Sequence, residues 1–252
     1  MNFTILERPT HLTAKDFKTR LERELAALKG ELGASVTVDG FSSTGWVQLH
    51  IAGEDGEILS ELISRKFRLA QTSQTEINMP GNYPAVIVGA GERGLKVDLG
   101  LGPENLECLI QTGNLNAQLA DGKRLPLREL IECYCLYPNV KIAMRISRRT
   151  EHEVDGWLSD DTINRFADWV ETGLDRILAF ECFKEDAESA VRRAHLSRDV
   201  ISVNSLSLNV QSIVCKLGTD AVGLIPLLGR ILRKQPLKPF QPKKIISRCR
   251  PW

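Results

Sequence analysis

The 252-residue chain combines 33 Lys and Arg with 32 Asp and Glu, and 42% of it is apolar. That excludes wholesale disorder and leaves enough apolar surface for one large core or several small ones. The formal net charge of +1 hides an asymmetry, because eight basic residues and no acid follow from Arg230 onward, while 25 basic residues face 32 acids in 1–229. An acidic body thus carries a basic end, which directs attention to polyanionic partners.

The N-terminus MNFTILERPTHLTAKDF has neither the basic stretch nor the apolar run of a secretory signal. No segment approaches the roughly 18 consecutive apolar residues of a membrane-spanning helix, so a cytoplasmic protein without transmembrane association is expected. Cys108, Cys133, Cys135, Cys182, Cys215 and Cys249 are scattered through a chain of this length, which predicts free thiols rather than a disulfide framework.

Taken in order, FTILE predicts a short strand, and Thr13 followed by Asp16 predicts a helix start. Phe17, Leu21, Leu25 and Leu28 share one helical stripe that Gly30 ends. ASVTVDG and WVQLHI read as strands around the turn FSSTG, and GEILSELISRKF reads as a helix burying Ile58, Leu59, Leu62 and Ile63. The order β, α, β, β, α over residues 1–79 predicts a ferredoxin-like unit whose last strand lies in or beyond FRLAQTSQTEI.

Pro80, Gly81, Asn82 and Pro84 mark a boundary. Residues 80–150 open with strands at 85–89 and 95–99 joined by a Gly-rich turn, which is barrel-like patterning. LPLRELIECYCLY predicts a helix with Pro126 in its first turn, and VKIAMRISR predicts a strand. Residues 151–232 read as an α/β unit. Ser159 caps the helix DDTINRFADWVETG, and DRILAFECF, EDAESAVRRAHL and DVISVNSLSLNVQSIVCK follow as strand, helix and one or two strands. TDAVGLIPLLGRIL reads as a helix interrupted near Gly223 and Pro226. Four prolines predict that 233–252 is an extended basic tail. The fold class is therefore α+β, with three units and a tail.

GAGERG at 89–94 runs into a strand rather than a helix N-terminus, so it reads as a hairpin turn and not as a phosphate loop. Lys216 in CKLGT lacks the Gly-rich lead of a nucleotide-hydrolysing motif. The CxC pair Cys133–Cys135 offers no zinc spacing, and His11, His50, His152 and His195 are isolated in sequence, so neither a metal nor a cofactor is expected. The tail differs. Arg230, Arg233, Lys234, Lys238, Lys243, Lys244, Arg248 and Arg250 can meet successive phosphates, while Phe240 and Trp252 can stack on exposed bases.

PAVIVGAGERGLKVDLGLG leading to LECLI resembles part of an S1 or OB-type barrel. That resemblance implies RNA contacts on the barrel face around Arg93 and Lys96. LKVDLGLG, LADGKRLPLRELIECYCLYPNVKI, and SRDVISVNSL through VCKLGTDAVGLIPLLGRIL are similar to an archaeal family labelled domain of unknown function 2110. This implies an archaeal cytoplasmic protein and supplies no catalytic residue. The leading expectation is a noncatalytic RNA-binding or ribosome-associated factor. The alternatives are an enzyme with a pocket between units, using Asp98, His195 or Asp220, and a protein-binding adaptor.

Overall fold

The computed structural model describes residues 1–70, 81–100, 107–150 and 152–249. It is an α+β arrangement of two open sheets and a closed five-stranded barrel.

The first sheet contains β1 (Asn2–Ile5), β2 (Ala34–Phe41) and β3 (Val47–Gly53), all antiparallel in the order β1-β3-β2, with α1 (Ala14–Lys29) and α2 (Gly56–Phe67). Phe17, Leu21 and Leu25 are buried along α1 as their spacing requires, and Gly30 ends it at φ 51°. Thr13 precedes α1 without capping it. Its hydroxyl instead accepts the Thr10 N–H at 3.0 Å, so a preceding turn fixes the helix start. On α2 the buried stripe is Leu59, Ile63 and Phe67, one helical turn apart, which leaves Ile58 52% exposed, contrary to expectation. Leu69 bridges antiparallel to Ile5 on the free side of β1. Residues 71–77, where the last strand was expected to continue, lie outside the described residues.

The barrel consists of β4 (Gly81–Ala90), β5 (Gly94–Asp98), β6 (Glu107–Gln111), β7 (Lys141–Arg149) and β8 (Glu153–Leu158), with α3 (Thr112–Leu119) and α4 (Leu127–Tyr134) between β6 and β7. Its circular order is β4-β5-β6-β8-β7. β6 and β8 pair in parallel, and every other pair is antiparallel. The Gly-rich segment is a hairpin turn, closed by the Gly91 N–H donating to the Gly94 carbonyl at 2.9 Å. A Cβ on Gly94 would stand 2.1 Å from the Ile110 carbonyl oxygen, so β6 could not approach β5 there if any other residue were present. The second unit was expected to end at 150, and β8 follows that position in the chain. EVDGWL closes the barrel because its alternating Val154, Gly156 and Leu158 are buried against β6 and β7.

The remaining elements are α5 (Asp160–Glu171), β9 (Arg176–Phe180), α6 (Lys184–Arg193), β10 (Val200–Ser207), β11 (Val210–Cys215), α7 (Ala221–Gly229), β12 (Leu237–Phe240) and α8 (Pro242–Arg248). Ser159 caps α5 by accepting the Thr162 N–H. The second open sheet runs β10-β11-β9-β12, antiparallel throughout. All five residues of β9 are buried, because Ile177 and Ala179 pack beneath α6 and α7 while Leu178 and Phe180 join the core that fills the barrel. α7 continues through Pro226 to Gly229, and Asp220 caps it by accepting from Val222 and Gly223.

The extended tail is also corrected. Residues 237–240 add β12 to the edge of the sheet, and 242–248 form α8. The prolines that suggested an open chain suit these elements: Pro239 lies on an edge strand that needs no outward donor, and Pro242 occupies the start of a helix. Phe240 is fully buried against Phe166 and Trp169.

One ion pair joins all three sheets. Lys141, 5% exposed, donates to Glu7 Oε1 at 2.5 Å and to the Phe67 carbonyl at 2.9 Å, and Glu7, 3% exposed, also accepts the Leu208 N–H at 3.1 Å. Glu7 follows β1, Lys141 opens β7, and Leu208 lies in the β10–β11 turn. Lys141→Met should therefore lower stability by about 3 to 5 kcal/mol in urea unfolding, whereas Glu7→Leu combined with Lys141→Met should recover most of that loss. A chain ending at Gly229 would lose β12, α8 and the buried Phe240 and Ile245. Phe240→Ala alone should cost about 3 to 5 kcal/mol by the same measurement.

Candidate nucleic-acid interface

Alternation along the barrel strands places apolar side chains inside and sends polar ones outward. Register then aligns Lys96 of β5, Leu109 of β6, Asp155 of β8 and Arg148 of β7 in one row across four strands. Lys96 and Arg148 are exposed at its ends, while Leu109 and Asp155 are buried between them. Beside this row, Arg145 pairs across strands with Trp157, which is half-buried.

The two barrel residues expected at the site are both present on this surface, and both are paired. Lys96 Nζ lies 2.8 Å from Glu107, whose carboxyl is held below its ordinary range by that hydrogen bond. Arg93 ends the β4–β5 turn, and its guanidinium is hydrogen-bonded to Glu153, which raises its pKa. Arg145 and Arg148 differ in having no ion-pair or hydrogen-bond partner among the described residues. Asp155 Oδ1 is buried and likewise unpartnered among the described residues. Arg145, Arg148 and Trp157 were not anticipated. Their signal was the run RISRR in a strand opposite EVDGW, but the register that pairs the two segments is a tertiary fact.

The residues expected in the basic tail are dispersed. Arg230 caps the C-terminus of α7, and Arg233 Nε donates to its carbonyl at 3.4 Å, while Lys234 is exposed. Lys238 lies over the Tyr137 ring at 5.0 Å, and Arg248 pairs with Glu129 at 3.4 Å. Phe240 cannot stack on a base because it belongs to the core. Lys243 and Lys244 face a cavity beside α7. Arg250 and Trp252 lie outside the described residues.

The three side chains considered for an enzyme pocket are engaged separately. Asp98 accepts from Trp46 Nε1 at 3.0 Å and from the Gly100 N–H at 2.7 Å, Asp220 caps α7, and His195 is exposed after α6. A cleft of about 200 Å³ between the two open sheets is lined by Glu7, Phe67, Phe183, Ser207 and Gln211 among others, and by none of those three. No group of three or more metal-ligating side chains occurs among the described residues. No helix among them is long and apolar enough to cross a membrane.

Residues 174–237 match the model of the DUF2110 C-terminal domain, which spans β9 through the start of β12. No curated protein matches the chain.

All six cysteines are free and buried. Burial pushes the thiols of Cys108, Cys135 and Cys182 up to about 12, whereas a hydrogen bond from Cys249 holds Cys133 below its ordinary value. A chromogenic disulfide reagent at neutral pH should therefore react slowly with the native chain, Cys133 first, and rapidly with all six thiols in denaturant.

Proposed function

We propose that the protein is a noncatalytic RNA-binding factor whose barrel is OB-like and takes single-stranded RNA on the outer face of β5, β6, β8 and β7. The carrying observation is the pair of exposed guanidiniums Arg145 and Arg148, which have no ion-pair or hydrogen-bond partner among the described residues, beside the half-buried indole of Trp157. Cations follow a phosphate backbone, and an aromatic plane accepts a base whatever its sequence. The strand order first-second-third-fifth-fourth, with the third and fifth parallel, supports the OB-like reading. Arg93 and Lys96 border the same face. Their acidic partners Glu153 and Glu107 are exposed enough to exchange for phosphate. The order β, α, β, β, α with the Leu69–Ile5 bridge supports a ferredoxin-like first unit that braces the barrel. The match to the DUF2110 C-terminal domain agrees with an origin in the archaeal family that the sequence resembles.

The acidic body predicts local and salt-sensitive contact. Filter binding of single-stranded and duplex RNA across a salt series should show preference for the single strand. Arg145→Ala with Arg148→Ala should lessen the slope of log affinity against log salt by about 0.7 per lost phosphate contact. Trp157→Ala should weaken binding by about 1 to 3 kcal/mol with the salt slope unchanged. Affinity that neither change alters would remove the barrel face from the mechanism.

A further inference from the structure

α4 and α8 pack against each other, and their contact is pinned near the surface by Arg248 Nη1, 3.4 Å from Glu129 Oε1. Cys133 lies one helical turn beyond Glu129, so it shares the side of α4 that meets α8. Cys249 follows Arg248 directly and stands at the C-cap of α8, where its N–H donates to the Ile245 carbonyl at 2.8 Å. Both side chains are buried in one core. Inside it they meet: the Cys249 thiol is hydrogen-bonded to the sulfur of Cys133.

A buried cysteine ordinarily serves as a small apolar side chain. The other four fit that role. Cys108 joins the core that fills the barrel, Cys215 packs with residues of α6 and α7, and Cys182 donates to the Phe183 carbonyl at 3.4 Å. Cys135, although two residues from Cys133, turns away from it to donate to the Pro239 carbonyl at 3.5 Å. The Cys133–Cys249 pair differs because sulfur stands against sulfur and because cations attend it. Lys244 and Arg248, one turn apart on α8, set positive charge beside Cys133. The Cys249 hydrogen bond foremost, and then these cations, favour the Cys133 thiolate, and burial and Glu129 oppose them without reversing the effect. Cys249 keeps its proton as the donor. A thiolate beside a protonated second thiol is the arrangement that two-electron oxidation of a dithiol uses.

We infer that Cys133 and Cys249 form an oxidation site, a dithiol that a hydroperoxide converts to a disulfide clipping α8 to α4. In the first step the Cys133 thiolate attacks a peroxide oxygen. An S–O bond forms, the O–O bond breaks, and the departing oxygen takes up the proton that Cys133 had released. The Cys249 sulfur then attacks the sulfenic sulfur of Cys133. The S–S bond forms, the S–O bond breaks, and the oxygen leaves as water with the Cys249 proton. The two thiols lose two electrons, and the peroxide gains them. Hydrogen peroxide is little larger than water, and the neighbouring ion pair is open to solvent, with Arg248 52% exposed. Local opening of the seven-residue α8 therefore admits the oxidant. The disulfide closes a loop that contains β7, β8 and the whole C-terminal sheet, which restricts the unfolded chain far more than the folded one. The inference is independent of the RNA-binding reading, because the barrel face uses neither helix.

The test is treatment of the reduced full chain with hydrogen peroxide in modest excess, then alkylation in denaturant and peptide mapping without reductant. Cys133 and Cys249 should be recovered as one disulfide-linked peptide pair within the chain, with the other four cysteines alkylated. The oxidised chain should melt roughly 5 to 15 °C above the reduced chain and return to the lower midpoint with dithiothreitol. Cys249→Ala, in a chain whose circular dichroism matches the parent, should stop the reaction at a sulfenic acid on Cys133 that dimedone captures. The peptide map of the parent chain decides without that variant. Six alkylatable thiols after peroxide, a disulfide joining any other pair or two chains, or a melting midpoint that does not rise would overturn the inference. So would dimedone capture at a cysteine other than Cys133 in the Cys249→Ala chain.

Discussion

The structure turns on the buried contact between Glu7 and Lys141. A charge removed from water is tolerated only when its partner and its remaining hydrogen-bonding positions are supplied. Here they are supplied from three directions: the Glu7 carboxylate takes the lysine and the Leu208 N–H, and the lysine takes the Phe67 carbonyl as well. Around this point Arg8 stacks over Trp46 at 4.7 Å and bonds Asn139, and Trp46 reaches Asp98 of the barrel. Asn209 donates to the Arg8 carbonyl at 2.6 Å. The first strand is thereby fixed to the barrel and to the C-terminal sheet by directional polar contacts, which specify one mutual orientation more sharply than apolar burial does.

The same economy of contacts explains why the basic end is folded. β9 is apolar on both faces, so one face needs α6 and α7 and the other needs the barrel helices. β12 then protects the free edge of β9, and Phe240 completes the shared core beside Phe166 and Trp169. A segment whose composition suggests a solvated arm is held by one aromatic side chain, an edge strand and a helix started by proline. Its cations are consequently distributed over several surfaces rather than along one flexible chain.

On the barrel, guanidiniums adjoin an indole and acidic side chains, and that combination is what the proposed RNA-binding role rests on. Net charge over the whole chain conceals it.

Local pattern carried much of the fold. The stripe Phe17–Leu21–Leu25, the Ser159 cap, the hairpin at Gly91–Gly94 and the alternating strands were legible, because helix and strand periodicity and glycine's freedom are properties of neighbours in sequence. The barrel's last strand was not legible, since Glu153–Leu158 becomes a barrel strand only by pairing in parallel with β6 across intervening helices. The Arg145–Trp157 pair was hidden because it depends on the β7–β8 register, which shifts between Ile146 and Arg148 and is written in neither strand alone. The sequence by itself determined the α+β class, the acidic body and the concentration of positive charge after residue 229. Only the tertiary structure decided that Phe240 is core, and that Arg93 and Lys96 are paired while Arg145 and Arg148 have no such partner among the described residues. Burial and pairing depend on which distant segments meet, and composition does not record those meetings.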